Sequence, residues 1–461
     1  MTQEYDVVVM GAGPAGENVA DRAVRKGLTA VIVESELVGG ECSYWACMPS
    51  KALLGPVAAV DDARHLEGVG GAALEPAGVL DRRDRFASHW KDDGQVTWLT
   101  GAHIELVRGQ GRLTGPKTVA VDGTELRARH AVAVATGSDA LIPPVPGLAE
   151  AKPWTSREAT SAKEVPKRLA VIGGGVVGCE LATAWQALGA RVTLIARGQL
   201  LGGTEEFAGQ LVAGGLRAAG VDVRLGASAT AVSRPRPGGP VTLTVDDGTT
   251  VEADEVLAAT GRTPRTADIG LETIGLEPGS WLDDVDGTLR VNGVDGGWLY
   301  ATGDVNHLAL LTHMGKYQAR ICGDAIAARA HGQEPAATAW ADQAAVPQVV
   351  FTQPEVAAVG LTAAQARAAG RHVRVVDYDL GAVAGSKLFA DGFSGHARMV
   401  VDEDRHTMIG ATLAGPGVGE LIHAATVAVA GQVPLSQLWH AVPSYPTMSE
   451  VWLRLLEAYG L

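Results

Sequence analysis

Residues 5–16 read YDVVVMGAGPAG, an apolar strand-like run that breaks into glycines at positions 11, 13 and 16. An Ala-rich helical pattern follows, and LTAVIVE (28–34) then reads as a second strand ending in an acid. Strand, glycine turn, helix, strand, acid is the order of a dinucleotide-binding unit. Each glycine has a separate task in it. Gly11 permits the tight turn, Gly13 lets backbone approach a pyrophosphate, and Gly16 allows close helix–strand packing. Glu34 falls where a carboxylate accepts hydrogen bonds from a ribose.

The same grammar returns in KRLAVIGGGVVGCELA (167–182), with Gly173, Gly175 and Gly178 in the turn and ARVTLIAR (190–197) as the next strand. Two such units imply two dinucleotides. Their strand ends differ: a carboxylate such as Glu34 suits the unmodified ribose of FAD, whereas Arg197 can pair with a 2′-phosphate and leans toward NADPH over NADH. A solvated surface arginine is the alternative reading of Arg197. Two further apolar strands run into ATG turns at Gly137 and Gly261, each after a β-rich segment, as if two domains of similar plan each close beside their nucleotide. A third turn, in WLYATGDVN (298–306), carries Asp304, an acceptor for a sugar-like ribityl chain.

From about residue 340 the pattern changes to antiparallel strands (AVPQVVFTQPEVAAVGLT, HVRVVDYDL, ARMVVDED, MIGATLAG) and a helix, GELIHAATVAVAG. This block has no phosphate turn, and a dimer interface is its best explanation. A net charge of -14 speaks against nucleic acid as a partner. No apolar run approaches the roughly 20 residues of a membrane span, and no secretory signal is evident. Four cysteines in 461 residues are no disulfide scaffold. A reducing, cytoplasmic location follows as the expectation, in which a disulfide is more often catalytic than structural.

The segment GGECSYWACMPSKALL (39–54) carries the chemistry. Read as one helix, it puts Cys42 and Cys47 little more than a turn apart on nearly one face. A disulfide closing so small a loop adds little chain-entropy stabilisation, so redox cycling is its sensible use. Two buried reduced thiols are the plain alternative. Metal binding lacks a completing Cys or His pair. Cys179 and Cys322 are isolated and read as structural thiols.

With GAGPAG, C-x4-C-x-P-S-K, GGGVVG, ATGD and the C-terminal YPTMSE in this order, the chain resembles the pyridine nucleotide-disulfide oxidoreductases along its whole length. These are the flavoproteins of the lipoamide dehydrogenase, glutathione reductase and mercuric reductase type. The resemblance implies an α/β fold with two Rossmann-like dinucleotide-binding domains (FAD and NAD(P)) and a C-terminal α+β dimerisation domain. The expected ranges are 1–155 for the first part of the FAD domain, 156–270 for NAD(P), 271–340 for the return, and 341–461 for dimerisation. It implies that Cys47 is the flavin-proximal sulfur and Cys42 the interchange sulfur. Lys51, one helical turn after Cys47, would favour negative charge on the reduced ring, with Glu180 as its partner. A helix-surface acid is the alternative for Glu180. Thr312 would lie against the flavin and Asp304 would bind it. A homodimer with a shared active site would bring Tyr445 and Glu450 to the partner's disulfide.

The departures bear on the acceptor. Where the family has a histidine before Pro-Thr, this chain has Tyr445, in YPTMSE, while Glu450 remains. A tyrosine, with an ordinary pKa of roughly 10, is a poor base near neutrality. His440 is a conceivable substitute, though a surface histidine is the plainer reading. Tyr445 and the Ala-Arg strand end resemble mercuric reductase, but no cysteine follows Cys322 to supply that enzyme's C-terminal pair. Tyr44 and Trp45, between the cysteines, either narrow the substrate path or fill the core. The leading reading is NAD(P)H-dependent reduction of a disulfide or related acceptor. A quinone reductase or diaphorase and a flavin-bound redox sensor stand beside it.

Overall fold

The computed structural model describes residues 2–461. The chain divides into two compact units. The first comprises Met1–Pro49, Asp84–Ala140 and Arg262–Gln343, and the second Ser50–Arg83, Leu141–Gly261 and Ala344–Leu461.

In the first unit the strand Thr2–Met10 is central. It pairs in parallel with Ala30–Glu34 on one side and with Thr124–Val134 on the other. Val7, Val8 and Val9 have no exposed surface, as expected of a parallel strand covered on both faces. The sheet extends through Glu105–Arg108 beyond Ala30–Glu34, and through Thr118–Val121 and Arg112–Gly115 beyond Thr124–Val134. The short strand Leu299–Ala301 pairs with the C-terminal half of Thr124–Val134, Leu299 opposite Val132. The helices Pro14–Arg25 and Thr312–Ala330 pack against each other on one face of it.

The second unit repeats the device and adds another layer. Arg168–Ile172 pairs in parallel with Arg191–Ala196 and Glu255–Ala258, and the helix Val176–Ala187 joins the first two strands. A separate five-stranded antiparallel sheet runs Pro347–Val350, Glu355–Gly360, Thr407–Gly415, His396–Asp402, Val373–Asp379 in spatial order. The helix Ile422–Ala430 packs on it. The architecture is the expected α/β fold with two nucleotide-type sheets and a C-terminal α+β portion. Among the described residues no helix is long and apolar enough to cross a membrane.

Candidate functional site

The first glycine turn leads from Met10 into the helix Pro14–Arg25. Gly11 has φ 104°, and a Cβ on it would lie 2.4 Å from the Ala135 carbonyl oxygen. A Cβ on Gly16 would lie 1.9 Å from the Gly11 carbonyl oxygen, so neither position tolerates a side chain. Gly13 differs, with nothing within 4 Å of where its Cβ would point. That open approach lies at a helix N-terminus, where unsatisfied N–H groups favour an anion. Glu34 closes the turn from the neighbouring strand. Its Oε2 accepts from the Ala12 N–H at 2.7 Å and its Oε1 from the Glu36 N–H at 2.7 Å.

From this turn runs an open cleft of about 1080 Å³, solvent-facing space included. Gly13, Glu34, Gly137, Asp304, Thr312 and Cys42 all line it. Asp304 is held at the far part of a relay: the Ser138 hydroxyl donates to its Oδ2 at 2.6 Å, and the Arg262 Nε donates to Ser138 Oγ at 2.6 Å. Arg262 also donates to the Ser138 carbonyl at 2.5 Å. An open helix N-terminus at Gly13 and two carboxylates, Glu34 and Asp304, on one cleft fit an FAD molecule.

The redox segment corrects one expectation. Cys42 and Cys47 do not share a helix: Cys42 lies in the short helix Gly40–Tyr44, and Cys47 begins the helix Cys47–Arg64. The break is at Trp45, whose φ and ψ are -135° and 0°. Its physical cause is the anchoring of Tyr44, which is buried and donates from its hydroxyl to the Val38 carbonyl at 2.9 Å. Tyr44 therefore fills the core, and Trp45 stacks edge-on to it at 5.7 Å. The thiols still meet across the break. Cys47 Sγ lies 3.3 Å from the Thr312 hydroxyl, at the first turn of the helix Thr312–Ala330. A hydrogen bond to Cys47 is the main influence raising the Cys42 thiol above its usual range; burial adds to it, while Thr312 and Lys316 oppose it.

In the second unit Lys51 Nζ lies 2.6 Å from Glu180 Oε2. Glu180 is only 3% exposed and its Oε1 accepts from the Phe351 N–H at 3.1 Å, so it is not a helix-surface acid. Lys51 Nζ also stands 5.0 Å over the Phe351 ring. The second glycine turn copies the first: a Cβ on Gly173 would meet the Ala259 carbonyl oxygen at 2.1 Å, one on Gly178 the Gly173 carbonyl oxygen at 2.0 Å, and Gly175 faces open space. Arg197 follows the strand Arg191–Ala196 and is exposed. At Gly261 the carbonyl accepts from the Leu141 N–H at 2.9 Å. Cys179 and Cys322 are fully buried, as expected of structural thiols.

The C-terminal candidates differ in exposure. Tyr445 is 77% exposed, whereas Glu450 is buried with its Oε1 accepting from Arg454 and its Oε2 without a hydrogen bond among the described residues. His440 is exposed. Ser138, Arg262 and Trp90 belong to the site region and escape the sequence reading. The first two carry a faint signal, each standing next after an ATG turn, and Trp90 carries none.

Comparison with known proteins gives the family. Residues 5–332 match the model of the pyridine nucleotide-disulphide oxidoreductases, and residues 346–455 match the dimerisation domain of that family. Dihydrolipoyl dehydrogenase of Thermus scotoductus is 34% identical, covering 98% of this chain and 97% of its own. The enzyme of the same name from Chlamydia pneumoniae is 31% identical over 98% and 96%. Among solved structures, the HOCl-induced flavoprotein disulfide reductase RclA from Escherichia coli, as its Cu(II) complex, superposes with a TM-score of 0.84 at 24% identity over 99% of both chains, a likeness of fold. With two glycine-turn sheets, an open cleft lined by Cys42 and the family's dimerisation domain, the chain belongs to the pyridine nucleotide-disulphide oxidoreductases and is an FAD-dependent enzyme of that family.

Proposed function

We propose that the enzyme reduces a disulfide or related small-molecule acceptor at the expense of NAD(P)H, through a Cys42–Cys47 redox disulfide. One observation carries this reading: Cys42 lines the same cleft as Gly13 and Asp304, with Cys47 held on Thr312 at its wall. Bound FAD would supply the hydride acceptor for the nicotinamide and the electron pair that opens the disulfide. The chain's residues do the rest. Gly11, Gly13 and Gly16 shape the pyrophosphate cradle, Glu34 accepts from ribose hydroxyls, and Asp304 accepts from the ribityl chain. Thr312 donates to the Cys47 thiolate, which favours charge on that sulfur and leaves Cys42 the sulfur that attacks the acceptor. Lys51 supplies a cation one turn beyond Cys47, and buried Glu180 fixes its ammonium.

In the second nucleotide site Gly173, Gly175 and Gly178 repeat the cradle, Gly261 closes it, and exposed Arg197 favours the 2′-phosphate of NADPH over NADH. We take the domains as 1–155 and 271–340 for FAD, 156–270 for NAD(P) and 341–461 for dimerisation, in a cytoplasmic homodimer whose pocket is completed by the partner's Tyr445 and Glu450. The exposure of Tyr445 supports that sharing. A second reading, direct flavin-to-quinone transfer, is favoured by Tyr445 itself, since a phenol is a weak base where reversible thiol chemistry needs one.

Anaerobic titration with NADPH, followed by turnover assays of Cys42→Ser, separates the two. Disulfide chemistry predicts a long-wavelength thiolate–flavin absorbance after two electrons and loss of at least about 100-fold in disulfide-reducing kcat in the variant. No such band, together with full quinone turnover by Cys42→Ser, establishes the second reading instead.

A further inference from the structure

Ser88, His89 and Trp90 stand in succession in the left-handed region, with φ of 50°, 51° and 55°. None is glycine, and side chains disfavour this conformation, so three in a row persist only where the surroundings hold them. Such a turn is worth tracing to what it aims.

It aims the Trp90 indole. Trp90 Nε1 donates to the Tyr44 carbonyl at 3.1 Å. That carbonyl belongs to the last residue of the helix Gly40–Tyr44, which carries Cys42, and helix-terminal carbonyls need such external partners. The other contacts run between the same two segments. The Tyr44 hydroxyl donates to Val38 O at 2.9 Å and reaches Lys91 O at 3.4 Å. The Val38 N–H donates to Asp92 Oδ2 at 2.8 Å, and Arg108 holds that carboxylate at 2.6 Å. Residues 90–92 thus fasten the chain just before and at the end of the Cys42 helix. Beyond the fastening the chain breaks at Trp45, and Cys47 opens the next helix.

We propose that Trp90 is a positioning residue for the redox pair. Its indole N–H fixes where the Cys42 helix stops, and so fixes the interval at which the Cys42 sulfur meets the Cys47 sulfur. This rests on the reading of the two cysteines as a redox disulfide. The consequence is chemical. In exchange with glutathione disulfide, an S–S bond forms between Cys42 and Cys47, the glutathione S–S bond breaks, and the two protons leave with two glutathione thiols. The equilibrium constant of that exchange follows the effective concentration of one cysteine at the other. A helix end that is free to shift lowers it.

The test is the thiol–disulfide equilibrium constant of the FAD-loaded enzyme in glutathione buffers, read by thiol alkylation. Trp90→Phe keeps the ring and removes the donor, and Tyr44→Phe loosens the same fastening from the other side. The expected result is a shift toward the dithiol of about 5-fold for Trp90→Phe and about 2-fold for Tyr44→Phe, each with the wild-type melting temperature kept within a few degrees. An unchanged constant in a folded Trp90→Phe enzyme overturns the proposal, since a packing role moves stability and leaves the constant alone. If Trp90→Phe does not fold, Tyr44→Phe decides by the same criterion. A wild-type pair that forms no disulfide in any buffer fails the redox reading itself, a result distinct from a wild-type disulfide that ignores Trp90.

Discussion

The two glycine turns are alike in backbone and unlike in the side chains around them. In both, the first and third glycines are locked against carbonyl oxygens while the middle one faces open space. The strand end beside the first turn is Glu34, whose two oxygens are drawn onto the Ala12 and Glu36 N–H groups. Beside the second it is Arg197, exposed. After the third glycine stands Glu17 in one turn and Cys179 in the other. Burial pushes the Glu17 carboxyl up to about 7, with Glu34 adding to the effect and Lys316 opposing it. Burial pushes the Cys179 thiol up to about 12, with Glu180 adding. The backbone thus gives either turn the same open approach at a helix N-terminus, and the flanking side chains set the two apart.

Breaking the first side of this contrast has the largest expected effect. Glu34→Ala removes a carboxylate that braces the turn and that we propose receives the ribose, and FAD binding weakens about 100-fold, as fluorescence titration of the deflavinated protein measures. Arg197→Ala tests the other side: kcat/KM falls about 30-fold with NADPH and stays unchanged with NADH. An equal fall for both coenzymes would instead make Arg197 a general anchor. Ser138→Ala takes one donor from Asp304, and the FAD dissociation constant rises about 5-fold.

The smallest effect sharpens the contrast at Glu17. Its carboxyl is raised above the usual carboxylate value, so the native state keeps a proton that the unfolded chain has lost. The associated stability is complete below an unfolded value near 4.5 and is lost as pH rises through about 7. Glu17→Gln abolishes that slope. Urea unfolding at pH 8 then finds the variant more stable than wild type by about 1 kcal/mol, allowing for partial exposure, and the gap closes toward pH 5. Cys179 adds no slope between pH 5 and 8, because its thiol stays protonated there in both states; its own loss of stability begins only above about pH 9.

The fold was legible because its decisive signals are local: glycines at fixed spacing after an apolar strand, and an acid or arginine at the end of the next strand. The Lys51–Glu180 pair was reached by resemblance, and its burial against Phe351 became visible only in the structure. The broken helix between the cysteines was not legible. Ala52, Leu53 and Leu54 continue the second helix as expected, but the stop at Trp45 comes from Tyr44 being drawn into the core and from an indole some 45 residues away. Ser138 and Arg262 meet across 124 residues, a separation that no spacing rule covers.

The pairing of Leu299–Ala301 with Thr124–Val134 also sets a timetable for biosynthesis. About 165 residues separate the end of one strand from the start of the other, so at ribosomal rates of roughly 5–20 residues per second the inner edge waits on the order of 10–30 s for its neighbour. Asp304 emerges later still. Cofactor loading therefore waits until about two thirds of the chain is made, and until Leu299–Ala301 arrives the apolar half-edge Val132–Val134 is exposed to aggregation.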